Sequence, residues 1–143
     1  MIKKVQTFLG LSWFRKKLFF QTLGYSMYTS VLFSFFKKKA RFGETISLSE
    51  FGQIPDQRAM DISWAIQTTA TLLPWKNVCR HQAYQAKLLC KHYHIPCLIF
   101  IGFKKDKEKK TIEAHAWTVA GGKIITGFCN PDEYVAQTIY SNR

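Results

Sequence analysis

Acidic residues are scarce in this 143-residue chain: nine Asp and Glu stand against 21 Lys and Arg, a formal charge of +12. Such an imbalance suggests an anionic partner, whether nucleic acid, membrane surface or acidic peptide. Nucleic-acid signatures are missing, however. The cations cluster in short blocks at 15–17, 37–39 and 104–110, and no zinc-finger, RRM or helix-turn-helix pattern interleaves with them. Nucleic acid is therefore not the expected partner. A cleavable signal is missing too, because the first 17 residues lack an apolar run followed by a small-residue cleavage site. Cysteines number only four, Cys79, Cys90, Cys97 and Cys129. Without a signal they read as free thiols in a reducing cytoplasm rather than as a disulfide framework. No Gly/Ser- or Pro-rich linker divides the chain, which makes one domain the default. Hydrophobic residues at 47% and aromatics at 15% exclude disorder.

What is present has a readable order. Residues 18–36 carry no charge and are flanked by basic blocks, and their length approaches that of a membrane span. Thr22, Ser26, Thr29, Ser30 and Ser34 recur at steps of one, three and four and gather on one side of a helix. That polar stripe argues for an amphipathic core or surface-docked helix over membrane contact. A second helix is expected from Asp56, its N-cap, to about Leu73, with Ala59, Ile62, Ile66, Thr69 and Leu73 as its apolar stripe and Pro74 as its stop. A soft boundary near residue 50 separates an N-terminal helical region (1–50) from the rest (51–143). A third helix is expected over 78–93. Then "CLIFIGF" (97–103) reads as a strand covered on both faces, the basic run 104–110 as a solvated turn, and 111–119 with 123–128 as a hairpin around Gly121–Gly122. The layout is α+β: a helix packed on a small antiparallel sheet, preceded by a helical region.

The chemistry concentrates in "NVCRHQAYQAKLLC" (77–90). Asn77 reads as an N-cap, which places Cys79 in the first turn, among unpaired N–H groups that favour a thiolate and can hold an oxyanion. Cys79, Ala83, Ala86 and Cys90 share a face of small residues that allows close approach to a sheet. Arg80, Tyr84, Lys87 and Lys91 fall on the opposite, wetter side. In "TIEAHAWTV" the period of two groups Glu113, His115, Trp117 and Val119 on one face. If that face meets the one carrying Cys79, thiol and imidazole become neighbours, the minimal machinery of a cysteine hydrolase. Two bland readings compete: Cys79 as a packed small side chain with His115 as an ordinary strand residue, and a non-catalytic basic docking module. Metal binding is disfavoured. Cys90, His92, His94 and Cys97 lie in close order, but Cys90 and His92 are two apart near a helix end and point to opposite sides.

The ordered pieces "LPW", "CRHQA", "HIP", "IGF" and "AHAW" within residues 55–128 resemble the transglutaminase-like cysteine proteases that act as stand-alone leader peptidases in lasso-peptide biosynthesis. The resemblance implies a papain- or transglutaminase-like core, with Cys79 as nucleophile and His115 as general base, and no metal or organic cofactor. It implies a precursor peptide as substrate, cut between leader and core, a separate leader-recognition domain as partner and an ATP-dependent macrolactam cyclase alongside. Transglutaminase- or amidase-type acyl transfer is the rival use of the same pair. Some members carry an aspartate about a dozen residues after the histidine to orient it. Here positions 126 and 127 are Thr126 and Gly127. Thr126, Asn130, Asp132 or a backbone carbonyl remain open for that role, and the length of the turn decides whether Thr126 or Gly127 lies opposite Trp117.

Overall fold

The computed structural model describes residues 8–36, 42, 44–45, 56–106 and 111–142; the expected boundary near residue 50 and the basic block 37–39 lie outside them. Three helices, α1 (Trp13–Phe35), α2 (Gln57–Leu72) and α3 (Cys79–His92), precede most of the sheet. Its strands are β1 (Glu44–Thr45), β2 (Cys97–Asp106), β3 (Thr111–Ala120), β4 (Lys123–Thr126) and β5 (Val135–Ser141), in the order β1-β5-β2-β3-β4. All pairings are antiparallel. The α+β expectation holds.

Local sequence explains the helix ends. Asp56 caps α2 as expected, accepting from Arg58 N at 2.8 Å and pairing with its guanidinium. Ala59, Ile62, Ile66 and Thr69 are the buried stripe of α2. At the end of α3, His94 takes a left-handed conformation (φ 56°) and Ile95 N donates back to Cys90 O at 2.8 Å, which closes the helix before β2.

The sheet differs from expectation at its ends. β2 runs on to Asp106, so Lys104 and Lys105 are strand residues opposite Glu113 and Ile112 rather than part of the turn. β5 carries no sequence signal: Val135, Ala136 and Gln137 are all exposed, so no apolar alternation marks it. It pairs with the free edge of β2, which makes β2 a strand with neighbours on both sides. That placement suits its continuous apolar run.

α1 splits its expected polar stripe: Ser34 is exposed and Ser30 half-buried, while the other three hydroxyl residues face inward. Thr22, Ser26 and Thr29 are its buried residues, together with Leu18, Leu32 and Phe33. Hydrogen bonds explain why hydroxyls face inward. Trp75 Nε1 donates to Ser26 Oγ at 3.2 Å, Gln85 Nε2 donates to Thr29 Oγ1 at 3.1 Å, and Thr22 Oγ1 donates to Leu18 O at 2.7 Å. Arg15 adds an ion pair to Asp61 on α2 at 2.7 Å. Leu18 joins Ile62, Ile66, Leu89, Cys90, Cys97, Ala120 and Ile125 in one buried cluster between the helices and the sheet. Each such fully buried aliphatic side chain contributes about 1.5–3 kcal/mol.

Candidate active site

Cys79 is the first residue of α3, preceded by Val78 as N-cap, and no side chain caps the helix. Asn77 is therefore not the cap. Its Oδ1 instead accepts from Gln85 Nε2 at 3.0 Å, because Gln85 is fully buried and needs partners for its amide. The helical ladder begins with His81 N and Gln82 N, both donating to Val78 O. The N–H groups of Cys79 and Arg80 precede it, and no acidic residue stands in the first turn to compete for them. Cys79 is half-buried and packs against a cluster of Ala83, Ile99 and Ala116. Ala83, Ala86 and Cys90 are fully buried, as the small-residue face requires. Tyr84 departs from the expected wet side. It is buried against Leu32 and Phe33 of α1, the helix that covers this flank.

His115 sits on β3 opposite Gly102 of β2. Its Nε2 lies 2.9 Å from the carbonyl oxygen of Gly127. A carbonyl only accepts, so Nε2 carries the hydrogen and Nδ1 is left with the basic lone pair. This selects among the orienters left open by the sequence. The turn is the two-residue one, with Ala120 opposite Lys123 across Gly121–Gly122, but a bulge between Thr118 and Val119 then pairs Thr118 with Thr126. The bulge adds the residue that a longer turn would have added, and Gly127 comes against the backbone of Ala116 and Trp117. Thr126 is fully buried, and its hydroxyl makes no bond to His115. Asn130 accepts from Asp132 N at 3.3 Å and caps the short 3-10 turn Pro131–Glu133, while Asp132 is exposed. Neither reaches the imidazole.

Aromatic rings fix the rest of the surroundings. The His115 ring lies 5.3 Å from Tyr134, whose hydroxyl donates to Glu113 at 3.1 Å, and 6.3 Å from Trp117. Trp117 stacks on Phe100 at 5.3 Å and lies so close to Gly102 that a Cβ there would fall 2.9 Å from its ring. Glycine at 102 is what admits the indole.

The residues of β3 alternate as expected, but the face that meets the Cys79 helix is the other one. Ala116, with Ile99, lines the side that Ala83 and Cys79 pack against, whereas His115 and Trp117 alternate with it and keep company with Phe100 and Tyr134. Cys79 therefore packs beside the residue that follows His115, and no hydrogen bond joins the two side chains. Catalytic hydrogen bonds are often long without substrate and tighten in the complex. Cys129, two residues beyond Gly127, is half-buried, and its thiol pKa is pushed up by burial first, then by the nearby Glu133 and Cys79. The nucleophile candidate and the loop that holds His115 share one neighbourhood.

The remaining thiols are packing. Cys97 is fully buried; its hydrogen bond with Cys90, then burial, drive its pKa well above the usual thiol value. His92 and His94 are exposed, and among the described residues no group of three or more His, Cys, Asp or Glu could hold a metal ion. Sequence reasoning did not single out Gln85, Trp75 as a tether or Tyr134; only a fold that brings α1 and the 127–134 loop to this place reveals them.

A family model described as the transglutaminase-like superfamily matches residues 36–138. No curated protein and no solved structure matches the chain.

Proposed function

The chain belongs to the transglutaminase-like superfamily, and from that premise we propose that it is a cytoplasmic cysteine peptidase that removes the leader of a ribosomally made precursor during lasso-peptide maturation. The observation that carries the chemistry is the Nε2–Gly127 carbonyl bond, which leaves His115 Nδ1 as the basic atom of the ring. In the proposed reaction Nδ1 takes the Cys79 thiol proton, and the sulfur attacks the carbonyl carbon of the leader–core amide. The first-turn N–H groups of α3 hold the oxyanion. The imidazolium then returns its proton to the leaving amine as the C–N bond breaks. Water, deprotonated by the same nitrogen, splits the thioester and frees the new carboxylate. No metal or organic cofactor enters this scheme.

The ordered "LPW…CRHQA…HIP…IGF…AHAW" pattern supports the leader-peptidase role. So does the positive charge, which suits an acidic leader. A separate leader-recognition domain and an ATP-dependent macrolactam cyclase are the proposed partners. The test is Cys79→Ala with a cognate precursor: loss of a catalytic-unit member lowers kcat by about 10⁴–10⁶, and a variant that still cleaves would sink the proposal. Product mass separates hydrolysis from acyl transfer, since the first adds water and the second adds the amine.

A further inference from the structure

The side of α1 that buries Thr22, Ser26 and Thr29 also buries Leu18, Leu32 and Phe33, and a second set of apolar residues faces out. Trp13, Phe20, Met27, Val31 and Phe35 are exposed by 81, 61, 56, 52 and 78%. Their spacings of seven, seven, four and four place them on one stripe along the whole helix. Gly24 and Tyr28 fall in the same stripe, both exposed. The charges around it are of one sign. Residues 1–43 hold nine Lys and Arg and no Asp or Glu, with blocks 15–17 at the start of α1 and 37–39 just beyond its end. Lys17 is itself exposed.

We propose that this stripe docks on an anionic lipid surface, with α1 lying in the interface. Three features select that occupant. The stripe runs straight along one helix, Lys17 stands exposed within its first turns, and the sequence is basic on both sides of it, a pattern that suits an interfacial helix burying its apolar side among the headgroups. A second copy is a poor fit, since parallel or antiparallel pairing along the stripe sets basic ends against basic ends. And no helix among the described residues is long and apolar enough to cross a membrane, so the helix lies on the surface rather than through it. The inward side of α1 meanwhile holds Trp75 and Gln85, so docking leaves the Cys79 segment on the far side of the helix.

The test is sedimentation of the full chain with vesicles of phosphatidylcholine alone or with one quarter phosphatidylglycerol. Binding to the anionic vesicles, weakened by salt, is expected. The double variant Phe20→Ser, Val31→Ser changes only exposed positions and should bind at least about tenfold more weakly, with an unchanged circular dichroism spectrum. Wild-type chain that ignores anionic vesicles overturns the proposal, whether it stays monomeric, self-associates through the stripe or needs an acidic protein partner. So does a folded double variant that binds as well as wild type. The result is independent of Cys79 and of any peptidase activity.

Discussion

The carbonyl oxygen of Gly127 holds His115 Nε2 at 2.9 Å. Space keeps the residue that supplies this carbonyl a glycine. Gly127 has φ +65°, and a Cβ on it would fall 2.1 Å from Ala116 O. Left-handed backbone costs a non-glycine residue about 1–2 kcal/mol, and this backbone contact cannot rotate away. Gly127→Ala should therefore lower the melting temperature by several degrees, at about 2–4 °C per kcal/mol for a chain of this size. It should also lower kcat at a temperature where the variant is folded. A folded Gly127→Ala with wild-type kcat would show that the carbonyl does not orient the imidazole.

The buried relay Thr29–Gln85–Asn77 predicts a positioning effect at a distance. Gln85 Nε2 bonds both Thr29 Oγ1 on α1 and Asn77 Oδ1 two residues before Cys79. Gln85→Leu keeps the volume and removes both bonds, leaving Asn77 and Thr29 short of a partner in a dry site. Such losses cost about 1–3 kcal/mol. Chemical denaturation should report that loss, and kcat should fall while the variant remains folded, because the segment before Cys79 loses its tether. Trp75→Phe removes one neutral bond to Ser26 and should cost only about 1 kcal/mol.

Much of this arrangement was legible in the residues. Asp56 and the Ala59–Ile62–Ile66–Thr69 stripe announce α2, and the small side chains after Cys79 announce a helix pressed on a sheet. What was not legible depends on partners far apart in sequence. Asn77 looks like a cap until Gln85, eight residues on, claims its oxygen. The sequence of α1 cannot announce that Thr22, Ser26 and Thr29 face inward, since periodicity gives a face and not its direction. Trp75 and Gln85 decide that. The identity of the His115 orienter turns on one bulge at Thr118–Val119, a register shift with no side-chain signature. β5 is silent because its first residues are exposed on both sides.

The four thiols should separate by reactivity. Cys90 and Cys97 are fully buried and share a hydrogen bond, so alkylation of the folded chain should spare them. Cys129 is half-buried, with its pKa raised by burial, Glu133 and Cys79, and should label slowly at neutral pH. Cys79, half-buried at the head of an uncapped helix, should label first. Peptide mapping after brief iodoacetamide treatment measures the order. Equal labelling of Cys79 and Cys129, unchanged by His115→Ala, would favour an inert Cys79.

His81 should make stability depend on pH. It lies two residues after Cys79, its ring edge-on to Phe33 at 4.9 Å, and its Nδ1 is buried without a partner. Burial first, then the charge of Arg80, holds its pKa below the usual 6.5. Below that pH the unfolded chain protonates its His81 while the folded chain resists, so the unfolded state binds more protons. Stability must then decline as pH falls below 6.5 and continue to do so until the folded-state value is passed. His81→Gln removes the titration, and its urea midpoint should drop less between pH 7.5 and pH 5.5 than that of wild type. Parallel drops in the two proteins would assign the acid sensitivity to other groups.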